Sequence, residues 1–354
     1  MSPSAVNPRE RTTKRWKLVL FAVLPSVVLF AALELGLRLA GFQYSSTPLE
    51  MRRFTDDPQG VVDREIRLRN RRGVERFEKD AHQLWVPKRS PLERHRLEPD
   101  PGVLRIATLG DSCTAHCVSS RKSFPELTEQ LLNARGGRRV EILNAGVASY
   151  SSFQGLQRLK HAVLPYRPDV LTVFFGWNDH WITGTPDSAV RLRSEWETAL
   201  VNALEHSRIF QAGAYTLAKV RGGGGGRSPE SGRDPVLRVD LESYEANLRE
   251  IVGVARDSGV RVLFITAPQE IVDWENPDLL PLPTEHVVAL HARYNDVVRK
   301  IAGETGADLV DLAVLVEGQP PHSVIARDGI HFGPAGCRFV ARVVAAKLAE
   351  LYLD

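Results

Sequence analysis

The sequence is poor in cysteine, in net charge and in long apolar runs, and each shortage narrows what the chain can be. Three cysteines among 354 residues cannot build the disulfide framework of a small secreted domain, and their odd number leaves at least one thiol unpaired within the chain. Lys and Arg number 46 against 43 Asp and Glu, a formal +3. That balance is too even for a dedicated nucleic-acid binder and only mildly favours anionic partners. A hydrophobic content of 43% excludes collagen and a wholly disordered chain, and a single extended apolar run excludes a multi-span transporter. No internal repeat is apparent. What remains is one sizeable core with accessory segments.

The apolar run is residues 18–33, LVLFAVLPSVVLFAAL, without a charge. Its helix-compatible pattern continues through Glu34 and Arg38 to residue 40. About 20 residues cross the hydrocarbon layer of a bilayer, so 18–40 reads as a transmembrane signal-anchor if Glu34 and Arg38, four apart, pair near the outer interface. Arg9, Arg11, Lys14, Arg15 and Lys17 precede it, opposed by Glu10 alone. The positive-inside bias makes 1–17 a cytoplasmic basic tail and puts everything after the span in the periplasm or outside the cell. The absence of an Ala-x-Ala cleavage pattern favours a retained anchor over a cleaved signal peptide; a buried core helix is the third alternative.

Residues 41–102 carry many charges with Pro48, Pro58, Pro87, Pro91, Pro99 and Pro101, which reads as a stalk. The short patch 82–87 could pack on the main domain. From 103 to 354 apolar runs alternate with helical patterns. Strands are expected at 103–109, 140–143, 170–175, 260–266 and 308–312, with helices at 124–134, 152–163, 244–257, 286–305 and 335–352. Such alternation predicts a parallel five-stranded sheet covered on both faces, a three-layer α/β/α sandwich. The alternation breaks at about 182–238, where Gly222 to Gly226 are five glycines in a row. That stretch is expected to be a flexible, exposed insertion.

Three strand ends and one loop carry chemistry. The first strand runs into Gly110-Asp111-Ser112, the second into Asn144-Ala145-Gly146 and the third into Gly176-Trp177-Asn178-Asp179; Asp328-Gly-Ile-His331 precedes the last helix. Ligands of open α/β sheets bind beyond the carboxyl ends of the strands. A serine hydroxyl needs a base to take its proton, and a carboxylate three residues before a histidine can fix the imidazole. Acyl transfer also needs neutral donors where the carbonyl oxygen gains charge; the Ser112 and Gly146 N–H groups and the Asn178 side chain could supply three.

Together the four blocks resemble the SGNH, or GDSL-type, hydrolase superfamily, in the family's order and over most of the chain. The resemblance implies a flavodoxin-like sandwich and ester hydrolysis or acyl transfer without metal or other cofactor. Ser112 would be the nucleophile, His331 the base, Asp328 its orienting acid, and Ser112, Gly146 and Asn178 the oxyanion hole. Asp111 and Asp179 are expected to hold loops. His116 stands where the family often has Gly and, with Trp177, His180 and Trp181, could form a substrate rim; ordinary packing is the alternative.

Cys113 and Cys117 lie four apart and suggest a metal or redox pair, but one helical turn fits disulfide geometry poorly and no zinc-ligand cluster follows. Two buried free thiols are expected instead. The sequence therefore points to a membrane-anchored serine esterase acting on carbohydrate or lipid O-acyl esters. An O-acyltransferase on cell-surface polysaccharide and a non-catalytic glycan-binding or assembly module are the alternatives.

Overall fold

The computed structural model describes residues 8–42, 44, 77–120, 122–183, 185–220, 236–275 and 280–353, with backbone alone at 8–20, 22, 218 and 219. The chain forms two compact units. One comprises Pro48–Thr198 and Gly225–Asp354, the other Met1–Thr47 and Ala199–Gly224.

Five parallel strands centre the larger unit: β1 (Leu104–Gly110), β2 (Val140–Asn144), β3 (Val170–Phe174), β4 (Arg261–Ile265) and β5 (Asp308–Val310), in the order β2-β1-β3-β4-β5. This is the flavodoxin-like order of a doubly wound sheet. Side chains alternate along each strand. Leu104, Ile106, Val170, Phe174, Leu263 and Ile265 enter one core, whereas Ala107, Leu109, Leu171, Val173, Val262 and Phe264 enter the other. Both faces are covered, which is why the strands read as continuous apolar runs.

The covering helices are α1 (Phe124–Ala134), α2 (Ser152–Arg158), α3 (Leu241–Asp257), α4 (Thr284–Thr305) and α5 (Pro334–Tyr352). α1 and α5 bury Phe124, Leu132, Val340 and Leu348 in the first core; α2, α3 and α4 bury Leu156, Leu248, Ile251 and Val298 in the second. Each such side chain contributes about 1.5–3 kcal/mol relative to exposure. Local chemistry starts the helices: the Glu126 carboxylate accepts the Ser123 N–H at 2.7 Å before α1, and Asp240 accepts the Ser243 N–H at 2.7 Å before α3. Register then aligns the functional edge. Thr108 lies opposite Asn144 and Gly110 opposite Phe174, so the segments after β1, β2 and β3 emerge together.

The expected stalk and the expected flexible insertion both differ from the sequence reading. Of the expected stalk 41–102, residues 43 and 45–76 lie outside the described residues, but 77–102 is part of the larger unit. Phe77–Asp80 and Leu84–Pro87 form an antiparallel hairpin. Trp85 is buried against Tyr150, whose hydroxyl donates to the Trp85 carbonyl. Leu97 and Glu98 give their carbonyls to the buried Arg105, which also pairs with Glu141 at 2.8 Å. The expected insertion contains regular structure: Ile182–Thr183 pairs with Val236–Leu237, and helices Glu195–Leu204 and Arg208–Val220 lie between. The glycine run lies outside the described residues.

The expected span 18–40 falls within one helix, Pro8–Leu39; of the expected basic tail, 1–7 lies outside the described residues. Among the described residues no helix is long and apolar enough to cross a membrane. The uncharged run within this helix, 18–33, ends at Glu34 and gives about 24 Å of helix against a hydrocarbon core of about 30 Å. Glu34 and Arg38 do pair, at 2.7 Å. Within this smaller unit Glu34 also accepts the backbone N–H groups of Arg208 and Ile209 at 3.0 and 3.1 Å, capping the Arg208–Val220 helix, and Arg38 donates to the His206 carbonyl.

Candidate active site

Asp111 turns the chain out of β1. Its carboxylate accepts the Cys113 N–H at 2.9 Å and caps a single helical turn, Ser112–Ala115, that carries the serine. The following loop packs too closely for a side chain at 146: a Cβ there would stand 2.6 Å from the Ala115 nitrogen. Gly176 has φ +144°, a region closed to most side chains, and this conformation leads the chain into Trp177-Asn178-Asp179.

Ser112 meets His331 and Asp328, more than 200 positions later, at this edge. Ser112 Oγ lies 2.9 Å from His331 Nε2, and His331 Nδ1 lies 2.8 Å from Asp328 Oδ2. The carboxylate accepts a hydrogen bond from the Nδ1–H, which leaves Nε2 as the acceptor of the serine O–H. Asp328 is itself fixed, since its Oδ1 accepts the N–H groups of Ile330 and His331 at 3.0 and 2.9 Å. Burial would depress the His331 pKa, but the hydrogen bond and charge of Asp328, with the charge of Asp111, prevail and raise it above 6.5. Burial works against the charged Asp328 as well, and the hydrogen bond and charge of His331 bring its pKa below 3.8.

The donors expected around the oxyanion are adjacent, and two are held internally. The Gly146 N–H donates to Asn144 Oδ1 at 3.0 Å. Asn178 is buried, and its Nδ2 donates to the Tyr150 carbonyl at 3.1 Å and to Asp111 Oδ2 at 3.3 Å. Its Oδ1 has no partner among the described residues. Asp111, also buried, has its pKa pushed up to about 6, burial outweighing the Cys113 N–H and the charge of His331.

His116 is exposed, with its ring 6.2 Å from that of His331. The other three candidate rim residues are inside the protein: Trp177, His180 and Trp181 are 1%, 0% and 4% exposed and form no rim. The end of the insertion covers them, Arg238 donating its N–H to the Trp181 carbonyl and Val239 to that of Asp179, both at 2.8 Å. Trp177 stacks on His291 at 3.8 Å, and His291 Nδ1 accepts from His180 Nε2 at 3.1 Å while His291 Nε2 donates to the Ala267 carbonyl. Burial drives both imidazoles below 6.5, His291 to about 4, so this pair is neutral packing. Asp179 does hold a loop, accepting the N–H and O–H of Ser152 at 2.8 and 2.6 Å.

The cysteines also differ from expectation. Cys117 is bonded to Cys337, and Cys113 alone is free and buried. Burial, with the nearby charges of Asp111 and Asp328, raises the Cys113 thiol well above its ordinary pKa, which makes it unreactive. Two further buried groups gave no sequence signal. Arg238 pairs with Asp187 at 2.8 Å, and Arg158 donates to the Ala145 carbonyl at 2.7 Å.

Residues 108–339 match the GDSL-like Lipase/Acylhydrolase family. Two curated relatives, the isoamyl acetate-hydrolyzing esterase 1 homologs of Homo sapiens and Mus musculus, are 26% and 29% identical over 112 and 113 residues, 30% of this chain in each case. The match spans 45% of the length of either relative. Among solved structures, the lipase/acylhydrolase from Enterococcus faecalis aligns with a TM-score of 0.47 and 18% identity, over 70% of this chain and 96% of its own.

Proposed function

Because the chain belongs to the GDSL-like lipase/acylhydrolase family, we propose that it is a serine esterase that cleaves O-acyl esters through an acyl-enzyme on Ser112. The observation that carries this reading is the continuous hydrogen-bonded path from Ser112 Oγ through His331 to Asp328. As Ser112 Oγ bonds to the ester carbon, its proton passes to His331 Nε2, and Asp328 stabilises the imidazolium. The tetrahedral oxygen draws the Ser112 and Gly146 N–H groups and one Asn178 hydrogen. Charge-assisted hydrogen bonds are roughly twice as strong as neutral ones, so an oxyanion displaces the Asn144 amide oxygen from Gly146. At Asn178 it replaces the longer contact, that with Asp111. The C–O bond to the leaving alcohol then breaks, and His331 returns the proton to that oxygen. A water activated by the same imidazole releases the acid.

An acetyl ester is the first substrate to try, since the curated relatives are named for acetate ester hydrolysis; the alcohol would be a carbohydrate or lipid hydroxyl. The wild type is expected to hydrolyse p-nitrophenyl acetate and to be labelled at Ser112 by a fluorophosphonate. Ser112→Ala is expected to do neither while keeping its fold. Full esterase activity in Ser112→Ala overturns the proposal, and saturable glycan binding by an unlabelled wild type favours a binding module.

The smaller unit favours a second reading, attachment to a membrane with the esterase domain outside the cytoplasm. Phe21, Val23, Leu24, Val27, Val28, Leu29 and Phe30 are at least half exposed, a large apolar surface for one helix. The Cys117–Cys337 bond suits an oxidising compartment. Recovery of the full chain in the soluble fraction of lysed cells, with none sedimenting with membranes, would contradict this reading.

A further inference from the structure

We propose that the buried Arg238–Asp187 ion pair, at the neck of the insertion, is a positioning device for the Asn178 amide, a role that rests on the esterase reading above. The two residues stand near opposite ends of the insertion and form a two-contact pair, Nε to Oδ1 at 3.2 Å and an η nitrogen to Oδ2 at 2.8 Å. Both side chains are almost wholly buried, at 0% and 7% exposure. Charges removed from water at such cost are held by specific partners, and here the partners bracket one residue. Arg238 donates to the Ser149 carbonyl at 2.8 Å, and Asp187 accepts the Ser151 hydroxyl at 2.6 Å. Between them lies Tyr150, whose carbonyl takes an Asn178 hydrogen.

The bracketed loop needs holding. Ser149 has φ +68°, a conformation that costs a non-glycine residue free energy and persists only when its surroundings impose it. The same Arg238 donates its backbone N–H to the Trp181 carbonyl, while Gln154, in the first turn of α2, accepts from its guanidinium at 2.8 Å. One residue thereby ties the loop after β2, through its guanidinium, to the segment after β3, through its backbone N–H, the two segments that supply the Gly146 and Asn178 donors. With the Tyr150 carbonyl fixed, one Asn178 hydrogen is committed and the amide plane is set. The other hydrogen, held only by the longer Asp111 contact, is the one available to a developing oxyanion. A loosened loop leaves the substrate carbonyl bound but misplaces this donor, and the loss falls on the chemical step.

The test compares steady-state hydrolysis of p-nitrophenyl acetate and fluorophosphonate labelling in the full chain, its variants and the same variants carrying Asn178→Ala. Arg238→Lys keeps the charge and loses the fork. The pair Arg238→Met with Asp187→Leu replaces both charges by apolar side chains, a change that commonly preserves folding, and it decides the question if Arg238→Lys does not fold. Expected is a fall of about tenfold in kcat with KM within about twofold, vanishing in the Asn178→Ala background. Ser151→Ala should show a smaller loss of the same kind. Unchanged kcat in a folded variant, or an equal loss with and without Asn178, overturns the positioning role and leaves the esterase reading intact. A wild type that neither turns over ester nor takes the probe at Ser112 overturns both.

Discussion

Cys117 and Cys337 are joined by a disulfide that ties the turn after Ser112 to the first turn of the helix after His331. Each cysteine lies within two turns of chain of a residue of the Ser112–His331 contact, and hydrogen bonds reinforce the same junction. The Val118 N–H donates to the Phe332 carbonyl at 3.1 Å, and Cys113 Sγ lies 3.7 Å from the Ile330 carbonyl. The bridge closes a loop with a sequence separation of 220 residues, and a native disulfide typically contributes about 2–4 kcal/mol.

Replacing both Cys117 and Cys337 by Ala should therefore lower Tm by about 5–15 °C, at about 2–4 °C per kcal/mol for a domain of this size. The Ser112–His331 contact keeps its other restraints, so kcat should change by less than about threefold at 25 °C. Thermal melts and esterase assays read the two effects. Thiol titration of the oxidised, denatured protein should find only Cys113, with two further thiols appearing after reduction.

On the proposed mechanism the acid limb of the activity profile should report His331. Its neutral form would be the base, and its pKa is raised above 6.5 chiefly because Asp328 outweighs burial. Activity should rise with pH through an apparent pKa above 6.5 and flatten once the imidazole is neutral. Asp328→Asn removes the charge that stabilises imidazolium, so the limb should move to lower pH. The plateau should fall by about 10³ to 10⁴ as the tautomer is lost. An unchanged limb in Asp328→Asn would separate this carboxylate from the base.

What the sequence made legible is what local chain geometry controls. Ser112, Gly146 and Asn178 each follow a β-rich apolar run that becomes β1, β2 or β3, and level strand ends bring them together. Asp328 and His331 share one loop, and their spacing alone allows the contact. The hidden features join residues far apart in sequence: Arg105 with Glu141, Asp187 with Arg238, His180 with His291, and Cys117 with Cys337. Nothing local selects such partners. Trp177, His180 and Trp181 follow a functional block and look like pocket residues, but a segment about 60 positions later covers them through backbone bonds that any sequence could make. The patch 82–87 is legible as one that could pack on the main domain, and Trp85 is buried there, but the hairpin pairing is concealed because charged and proline-bearing chain gives no period.

Asn178 is expected to contribute to the chemical step rather than to substrate binding. Removing one oxyanion donor typically lowers kcat by about 10² to 10³, and Asn178→Ala should do so with little change in KM. Truncation loses no acceptor interaction, since Oδ1 is unpartnered among the described residues, but it removes the hydrogens given to the Tyr150 carbonyl and Asp111, so at about 1–3 kcal/mol Tm should fall by about 2–12 °C. Asn178→Asp places a carboxylate beside Asp111 and opposite the developing oxyanion, so it should be less active than Asn178→Ala. Steady-state kinetics on the three proteins checks the order.

Asp179 gives the fold a pH dependence opposite to that of a salt-bridged carboxylate. Burial, opposed by the Ser152 hydrogen bonds and the charge of Arg238, raises its pKa from 3.8 to about 7, so the folded protein binds a proton that the unfolded chain has released. Stability from this group is fully present below about pH 4 and is lost as pH rises through about 7, the sign set by the extra proton in the folded state. Asp179→Asn cannot ionise and keeps an oxygen to accept from Ser152. Relative to wild type it should therefore gain Tm progressively between pH 4 and 7.5, with the difference constant above and below that window. Because the Asp179 carboxylate bonds to Ser152 rather than to Ser112 or His331, the Asp179→Asn esterase pH profile should keep the His331 limb. A Tm difference that stays flat across the window would show that Asp179 is already ionised in the folded protein at low pH.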